Sequence, residues 1–472
     1  MKISNILGYA FGPITAALIG VVALPITAWV FSPSDIGRLN VFQVCLSFGL
    51  LLSTFGLDRA YIREYHESSD RLHLFAACFL PGLLLIAVLV VLTLPVRESA
   101  VQWLYSTRDA SLYLITVLAL VANYISRFLS LIVRMQERGW AYSMSQVLPK
   151  LLSLTLIGSV FLSGAHANFR LLQGITFASI LVVMLVFAWN TRQDWIQMSS
   201  ARIRWAEMRK LLAYGFPLVF SGLAYWGLTA TSTFALRHWS SLDELAVYSV
   251  VNSFAGAAVI FQSIFATIWA PTVYKWVAHG IDMRRVDVVA RHALLIVCLI
   301  FIAVGLFSWT VDYLLPPHYR MVKYLLAAAI APSLLYTLSE VTTVGIGISR
   351  RTGWTIWITV AALLVNAAMS WWLVPQYGSA GAVLSNAAAF FVFFLLRTEV
   401  SAALWRQFPR AKLYVMLCGM ISLAAAIVGS AERLPPLYPF IWLVPLGIVI
   451  VVCRSEIFDM FAIAKNRLGV RT

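Results

Sequence analysis

Long apolar runs alternate with short charged segments along nearly the whole 472-residue chain. Runs long enough to cross a membrane as helices cover 3–34, 39–57, 74–96, 110–133, 139–165, 171–191 and 211–236. Further runs cover 245–274, 293–311, 324–349, 352–374, 379–396, 413–431 and 434–453. Each is long enough for a helix to span a hydrocarbon core, which takes roughly 20 residues. The period-two alternation of a transmembrane barrel is absent, and backbone groups in lipid are otherwise satisfied only within helices. The pattern therefore predicts an all-α polytopic membrane protein with about fourteen transmembrane helices.

The stretch "LLVNAAMSWWLVPQYGSAGAVLSNAAAFFVFFLL", 363–396, belongs to a segment, 352–396, without Asp, Glu, Lys, Arg or His. One helix of that length would overshoot the bilayer, so two spans must share it. Pro375 ends a helix that precedes it and Gly378 supplies turn freedom, which predicts a hairpin over 373–379.

Composition agrees with this picture: 61% of residues are hydrophobic and 12% charged, with a mean hydropathy of +0.84. The formal charge of +15 is not a nucleic-acid footprint, because the basic residues lie between apolar spans and form no separate domain. If the N-terminus is inside, 25 of the 35 Lys and Arg residues fall in inside loops and 8 in outside ones. Arg397, Arg406, Arg410 and Lys412 count among the inside loops, and Arg170 among the outside ones. That asymmetry predicts cytoplasmic termini. The first run is too long for the core of a cleaved signal and is expected to remain as helix one. Cys45, Cys78, Cys298, Cys418 and Cys453 are scattered without ligand or disulfide spacing, so packed thiols are expected and no metal site. Nothing resembles a Walker A motif, and no cofactor is implied. The longest interruption, "RQDWIQMSSARIRWAEMRK" at 192–210, reads as a basic amphipathic linker along the inner membrane surface.

"LGYAFGP" at 7–13 is echoed by "LAYGFP" at 212–217, and "ERGWAYS" at 137–143 by "RTGWTIW" at 351–357. With the midpoint linker, these echoes predict parallel pseudo-symmetric six-helix lobes, 1–191 and 211–402, joined by 192–210. Residues 403–472 then supply two additional helices and a cytoplasmic tail.

"FSPSDIGRLNVFQ" (31–43), "FGLDRAYIREY" (55–65), "DELAVYSVVNS" (243–253) and the 363–396 hairpin resemble polysaccharide flippases. These belong to the multidrug/oligosaccharidyl-lipid/polysaccharide exporter superfamily. Their usual hairpin carries an Asn, a second Asn four residues on, a Pro turn with Gly, and Gly-Ala opening the next helix. Asn366, Pro375, Gly378, Gly381 and Ala382 match, whereas Ser370 stands where the second Asn is usual. The resemblance implies a non-enzymatic, multi-pass flippase of the bacterial inner membrane. Its cargo would be undecaprenyl-diphosphate-linked oligosaccharide for O-antigen or exopolysaccharide synthesis, with membrane lipids and polysaccharide polymerase machinery as partners.

Ionisable groups within spans are costly and so are the first functional candidates. Asn123, Arg127, Ser130 and Arg134 recur at spacings that share one helix face, and Lys150 lies within the next span beside Pro149. Guanidinium and ammonium groups suit diphosphate oxygens, while pairing with a buried carboxylate or carbonyl is the structural alternative. Asp58, Arg59 and Arg63 cluster at the end of helix two, where Asp58 stands ready to neutralise Arg59 and Arg63 to snorkel to headgroups. Glu340 lies at nearly the repeat-equivalent position of Arg127, either as a partner for Arg127 or Lys150 or as a proton-coupling group. Tyr225, Trp226 and Asn252, with Gln262 and Trp269, are candidates for sugar contact, against interfacial or packing roles.

The resulting expectation is a flippase working by alternating access, with Arg59, Arg63, Asn123, Arg127, Lys150, Tyr225, Trp226 and Asn252 on the substrate and Asp58 and Glu340 in coupling or gating. A membrane-embedded polysaccharide polymerase or glycosyltransferase would need loop-borne catalytic residues, for which the short outside loops leave little room. A multidrug exporter of cations would favour cavity carboxylates, and a lipid II exporter is a further relative within the same superfamily.

Overall fold

The computed structural model describes residues 3–65, 67–68, 70–136, 138–164, 166–195, 205–279 and 284–467. The middle of the expected linker, 196–204, Glu137 of "ERGWAYS" and the end of the expected tail, 468–472, lie outside the described residues. The described residues form helices and no strand. Ten helices among them qualify as spans by length and apolar composition, or eleven with the bent pair Tyr438–Val452 and Arg454–Met460 taken as one. The expected fourteen is not reached on that criterion. One reason is that the longest helix covers two of the expected runs.

Contacts divide the chain into two units, one of residues 1–233 and 241–249, the other of 234–240 and 250–472. The first contains α1 (Ile3–Val30), α2 (Pro33–Thr54), α3 (Leu57–Glu64), α4 (Arg71–Thr93), α5 (Arg97–Tyr105), α6 (Ser111–Met135), α7 (Gly139–Ser163), α8 (Phe169–Asn190) and α9 (Arg192–Trp195). It also holds most of α10 (Trp205–Trp239) and the start of α11 (Leu242–Ala278). α1 lies along α7, α6 and α7 pack on α8, and α2 packs on α4 and α6. Small residues set the closest approaches. The Gly12 N–H of α1 donates to Ser143 Oγ of α7 at 3.1 Å, so the conspicuous "LGYAFGP" and "WAYS" stretches meet each other.

The break between α2 and α3 is written in two residues. Phe55 and Gly56 both adopt left-handed conformations, with φ of 47° and 69°. That pair ends α2 and re-aims the chain into α3, an eight-residue helix with Asp58 in its first turn. A Cβ on Gly56 would fall inside the Gly215 carbonyl, and one on Gly215 would lie 2.7 Å from Phe55 O. Two turns along, Gly222 faces the end of the Leu51 side chain, and Trp226 Nε1 donates to Ser47 Oγ at 3.0 Å. Thus α2 and α10 run antiparallel on a seam that small residues allow.

The second unit contains α12 (Arg284–Leu306), α13 (Val311–Leu314), α14 (Val322–Thr342), α15 (Val344–Ile348), α16 (Trp354–Leu404), α17 (Ala411–Gly429), α18 (Leu443–Val452) and α19 (Arg454–Arg467). α14 is its central element, packed on α12, α16 and α17. The expected hairpin lies inside α16, where Gly378 breaks the helical path with φ 53° and ψ −126°. Its arms close tightly, because a Cβ on Gly381 would enter the Leu373 carbonyl. Asn366 and Ser370 are fully buried, and the Ser370 hydroxyl donates to Asn366 Oδ1 at 3.1 Å. A serine at 370 therefore keeps a polar link within its own helix.

Candidate functional site

Within the first unit, α2, α3, α6 and α10 enclose a cavity of about 200 Å³. Its polar lining comes from Ser47, Thr54, Asp58, Arg59 and Arg127, and its apolar side from Leu50, Leu51, Leu218 and Val219. The left-handed turn at Phe55 and Gly56 places Asp58 and Arg59 at the start of α3, facing α6. The 3.6-residue helical period brings Arg127 to the same level of α6. Arg127 Nη2 donates to Asp58 Oδ2 at 2.6 Å and Nε donates to the same oxygen at 3.3 Å. Asp58 Oδ1 accepts the Arg59 backbone N–H at 2.9 Å.

These contacts leave an uneven charge balance. The Asp58 side chain is 10% exposed and its acceptors are occupied, whereas Arg127 keeps 41% of its side chain exposed. Arg59 lines the same cavity, is exposed, and its guanidinium has no hydrogen-bond or ion-pair partner among the described residues. Two guanidinium groups thus share the cavity with one carboxylate, and the free donors suit planar recognition of an oxyanion. The sequence-based expectation that Asp58 neutralises Arg59 is replaced by a pair across two helices, Asp58 with Arg127.

The other candidates take different positions. Arg63 is one turn along α3, with its guanidinium 4.5 Å from the Tyr214 ring centroid and 3.5 Å from Glu64. Trp226 does not line the cavity but donates to Ser47, which does, and lies tilted against Phe48 at 4.5 Å between ring centroids. Tyr225 beside it is 38% exposed. Asn123 stands one turn before Arg127 on α6, half-buried, and does not line the cavity. Lys150 is exposed on α7 without an ion-pair partner among the described residues, and is likewise outside the cavity lining. Asn252, on α11, belongs to the second unit.

Glu340 is also in the second unit, and its partner there is Arg397, not Arg127 or Lys150. Arg397 Nη1 donates to Glu340 Oε1 and to Ser339 Oγ, both at 2.8 Å. The Tyr336 and Phe393 ring centroids lie 5.3 and 5.0 Å from its guanidinium carbon. Charge counting put Arg397 in an inside loop; it is instead 8% exposed within α16. The signal that could have marked it was the long apolar run leading straight into it. Arg406 with Asp287, and Arg410 with Glu399 and Tyr414, add an ion-pair lattice where α16 passes into α17.

The chain belongs to the polysaccharide biosynthesis protein family, whose model matches residues 3–277. Its fold, built on helices long and apolar enough to cross a membrane, is like that of solved membrane transporters. It is similar to the lipid II flippase MurJ in an inward closed conformation, with a TM-score of 0.70 at 12% identity over 98% of this chain and 100% of that one. It is also similar to a multidrug resistance MATE family transporter of the MOP superfamily. The inward-facing form gives a TM-score of 0.53 at 16% identity over 86% of this chain and 96% of that one. The outward-facing form gives 0.55 at 15% identity over 85% and 96%. At these identities the likeness is one of fold. No curated protein matches the chain.

Proposed function

We propose that the protein is a flippase that moves undecaprenyl-diphosphate-linked oligosaccharide units across the bacterial inner membrane for O-antigen or exopolysaccharide synthesis. The observation that carries this reading is the cationic surplus of the α2–α3–α6–α10 cavity, where Arg59 and Arg127 face a single carboxylate, Asp58. A diphosphate brings two negative charges and several acceptor oxygens, and guanidinium forks stabilise such a group most where water is scarce. Membership of a polysaccharide biosynthesis family and the fold shared with a lipid II flippase support a lipid-linked glycan as cargo. An exporter of cationic drugs would gain nothing from this charge balance.

In this reading Arg59 and Arg127 hold the diphosphate. Arg63, Asn123 and Lys150 extend its path, and Tyr225, Trp226 and Asn252 meet the sugar. Asp58 competes for Arg127, and Glu340 takes part in coupling or gating through its link to Arg397. The lobes 1–191 and 211–402, joined by 192–210 and followed by 403–472, alternate access with both termini cytoplasmic, and the polymerase machinery receives the product. No covalent step is assigned to the chain.

The test follows lipid-linked glycan on each membrane face in cells depleted of the protein and complemented with wild type, Arg59→Ala or Arg127→Ala. Accumulation on the cytoplasmic face, relieved by wild type and not by equally abundant variants, is the expected result. Intermediates that cross and collect outside as single unpolymerised units would identify a polymerase instead.

A further inference from the structure

A second concavity of the first unit, separate from the Arg59–Arg127 cavity, has a volume of about 580 Å³ and lies among α6, α7 and α8. Its walls are apolar, formed by Ile115 of α6, Leu156 of α7, and Ile175 and Ala178 of α8. Its rim carries His166 and Arg170. Both are exposed, and neither makes a hydrogen bond or ion pair through its side chain among the described residues. Arg170 interacts electrostatically with Asp109, whose Oδ1 accepts the Ser111 hydroxyl at 2.6 Å and its backbone N–H at 2.9 Å. Asp109 makes no direct ion pair or hydrogen bond with Arg170, so the guanidinium donors of Arg170 stay open at the rim. Leu114 on α6 and Phe161 on α7 are exposed apolar side chains of the same helices, at 58% and 60% exposure.

We propose that this groove is a binding site for a phospholipid with an anionic headgroup, its phosphate at His166 and Arg170 and an acyl chain along the apolar walls. The argument is one of complementarity. A free inorganic anion would satisfy only the rim, and a zwitterionic lipid would satisfy the walls while bringing its own cation to the rim. An anionic amphiphile satisfies both, and one arginine at a membrane surface, Arg170, favours such a lipid by roughly fivefold, with His166 beside it as a further polar partner for the phosphate. The site does not depend on what the Arg59–Arg127 cavity transports.

The glycine at 174 makes the groove separable from its rim. A Cβ there meets nothing within 4 Å, so a large side chain can occupy the groove without displacing backbone. The experiment uses the purified full-length chain in mixed micelles of phosphatidylglycerol and phosphatidylcholine with identical acyl chains, and native mass spectrometry to count retained lipids. Wild type is expected to retain phosphatidylglycerol preferentially. His166→Ala/Arg170→Ala should lower the ratio of the two lipids at least roughly fivefold. Gly174→Trp, with the rim intact, should reduce retention of phosphatidylglycerol by a similar factor. Arg97→Ala, which removes an exposed cation outside the groove, should change nothing. The proposal is overturned if the double variant keeps the wild-type ratio, if Gly174→Trp leaves retention unchanged, or if Arg97→Ala lowers the ratio as much as the double variant.

Discussion

Arg127 donates twice to one oxygen of Asp58, at 2.6 and 3.3 Å, while the other oxygen is tied to the Arg59 backbone at 2.9 Å. Two residues adjacent in sequence thereby acquire opposite roles. The carboxylate of Asp58 turns to α6, and the guanidinium of Arg59 is left to the cavity. Asp58 occupies part of the donor set that an incoming phosphate would use, and so acts as an internal competitor for Arg127.

Removing the competitor without removing the side-chain volume separates these roles. Asp58→Asn should tighten binding of inorganic pyrophosphate to the purified protein about tenfold, and Arg59→Ala should weaken it by a similar factor. Isothermal titration reads both. Unchanged or weaker binding in Asp58→Asn would leave Asp58 with a structural role only.

The two membrane ion pairs should differ in what they contribute to stability. Arg397 is nearly sealed from solvent with Glu340, and Arg397→Ala is expected to destabilise by about 3–5 kcal/mol, because it strands a carboxylate with little access to water. Arg127 is 41% exposed, and Asp58, though itself only 10% exposed, keeps the Arg59 backbone N–H, so Arg127→Ala should cost about 1–3 kcal/mol. Denaturation in detergent measures the order. Glu340→Gln/Arg397→Gln should recover more than half of the Arg397→Ala loss, since coupled residues are not additive.

Backbone contacts predict a different class of failure. Gly56→Ala adds a Cβ into the Gly215 carbonyl at a left-handed φ, and Gly381→Ala adds one into the Leu373 carbonyl. Both should lower folded protein in the membrane severalfold, as read by detergent-resistant fluorescence of a fused reporter. Gly158→Ala, where a Cβ meets nothing within 4 Å, should leave abundance unchanged.

Ser370 offers a test of the hairpin's departure from the pattern of the flippases it resembles. The site is fully closed around a serine that donates to Asn366. Ser370→Asn adds volume to a filled position and should cost about 1–3 kcal/mol in the same denaturation assay. A stability equal to or above wild type would mean that the neighbouring helices yield to the larger amide.

Much of the architecture was legible one-dimensionally. Spans follow from runs of apolar residues, and the hairpin in α16 follows from Pro375 and Gly378, whose conformational limits act locally. The candidacy of Asp58, Arg59 and Arg127 was equally legible, because charge within an apolar run is costly wherever the chain folds. The number of spans was less so: a helix bent at one glycine counts differently by residue run and by continuous helix. Arg397 was misplaced because hydropathy marks where an apolar run ends, not how far α16 continues as a packed helix.

What the sequence alone determined is the solvent each segment requires: apolar stretches for lipid, polar breaks for water, and a few ionisable groups that must find partners. Which partners they find was decided only in three dimensions. Asp58 meets Arg127 because a left-handed Phe55–Gly56 turn, held against Gly215, aims α3 at α6. Glu340 meets Arg397 because α14 packs along α16. Pairing depends on distances of a few ångströms between residues 57 and 69 positions apart, and no local propensity carries that information.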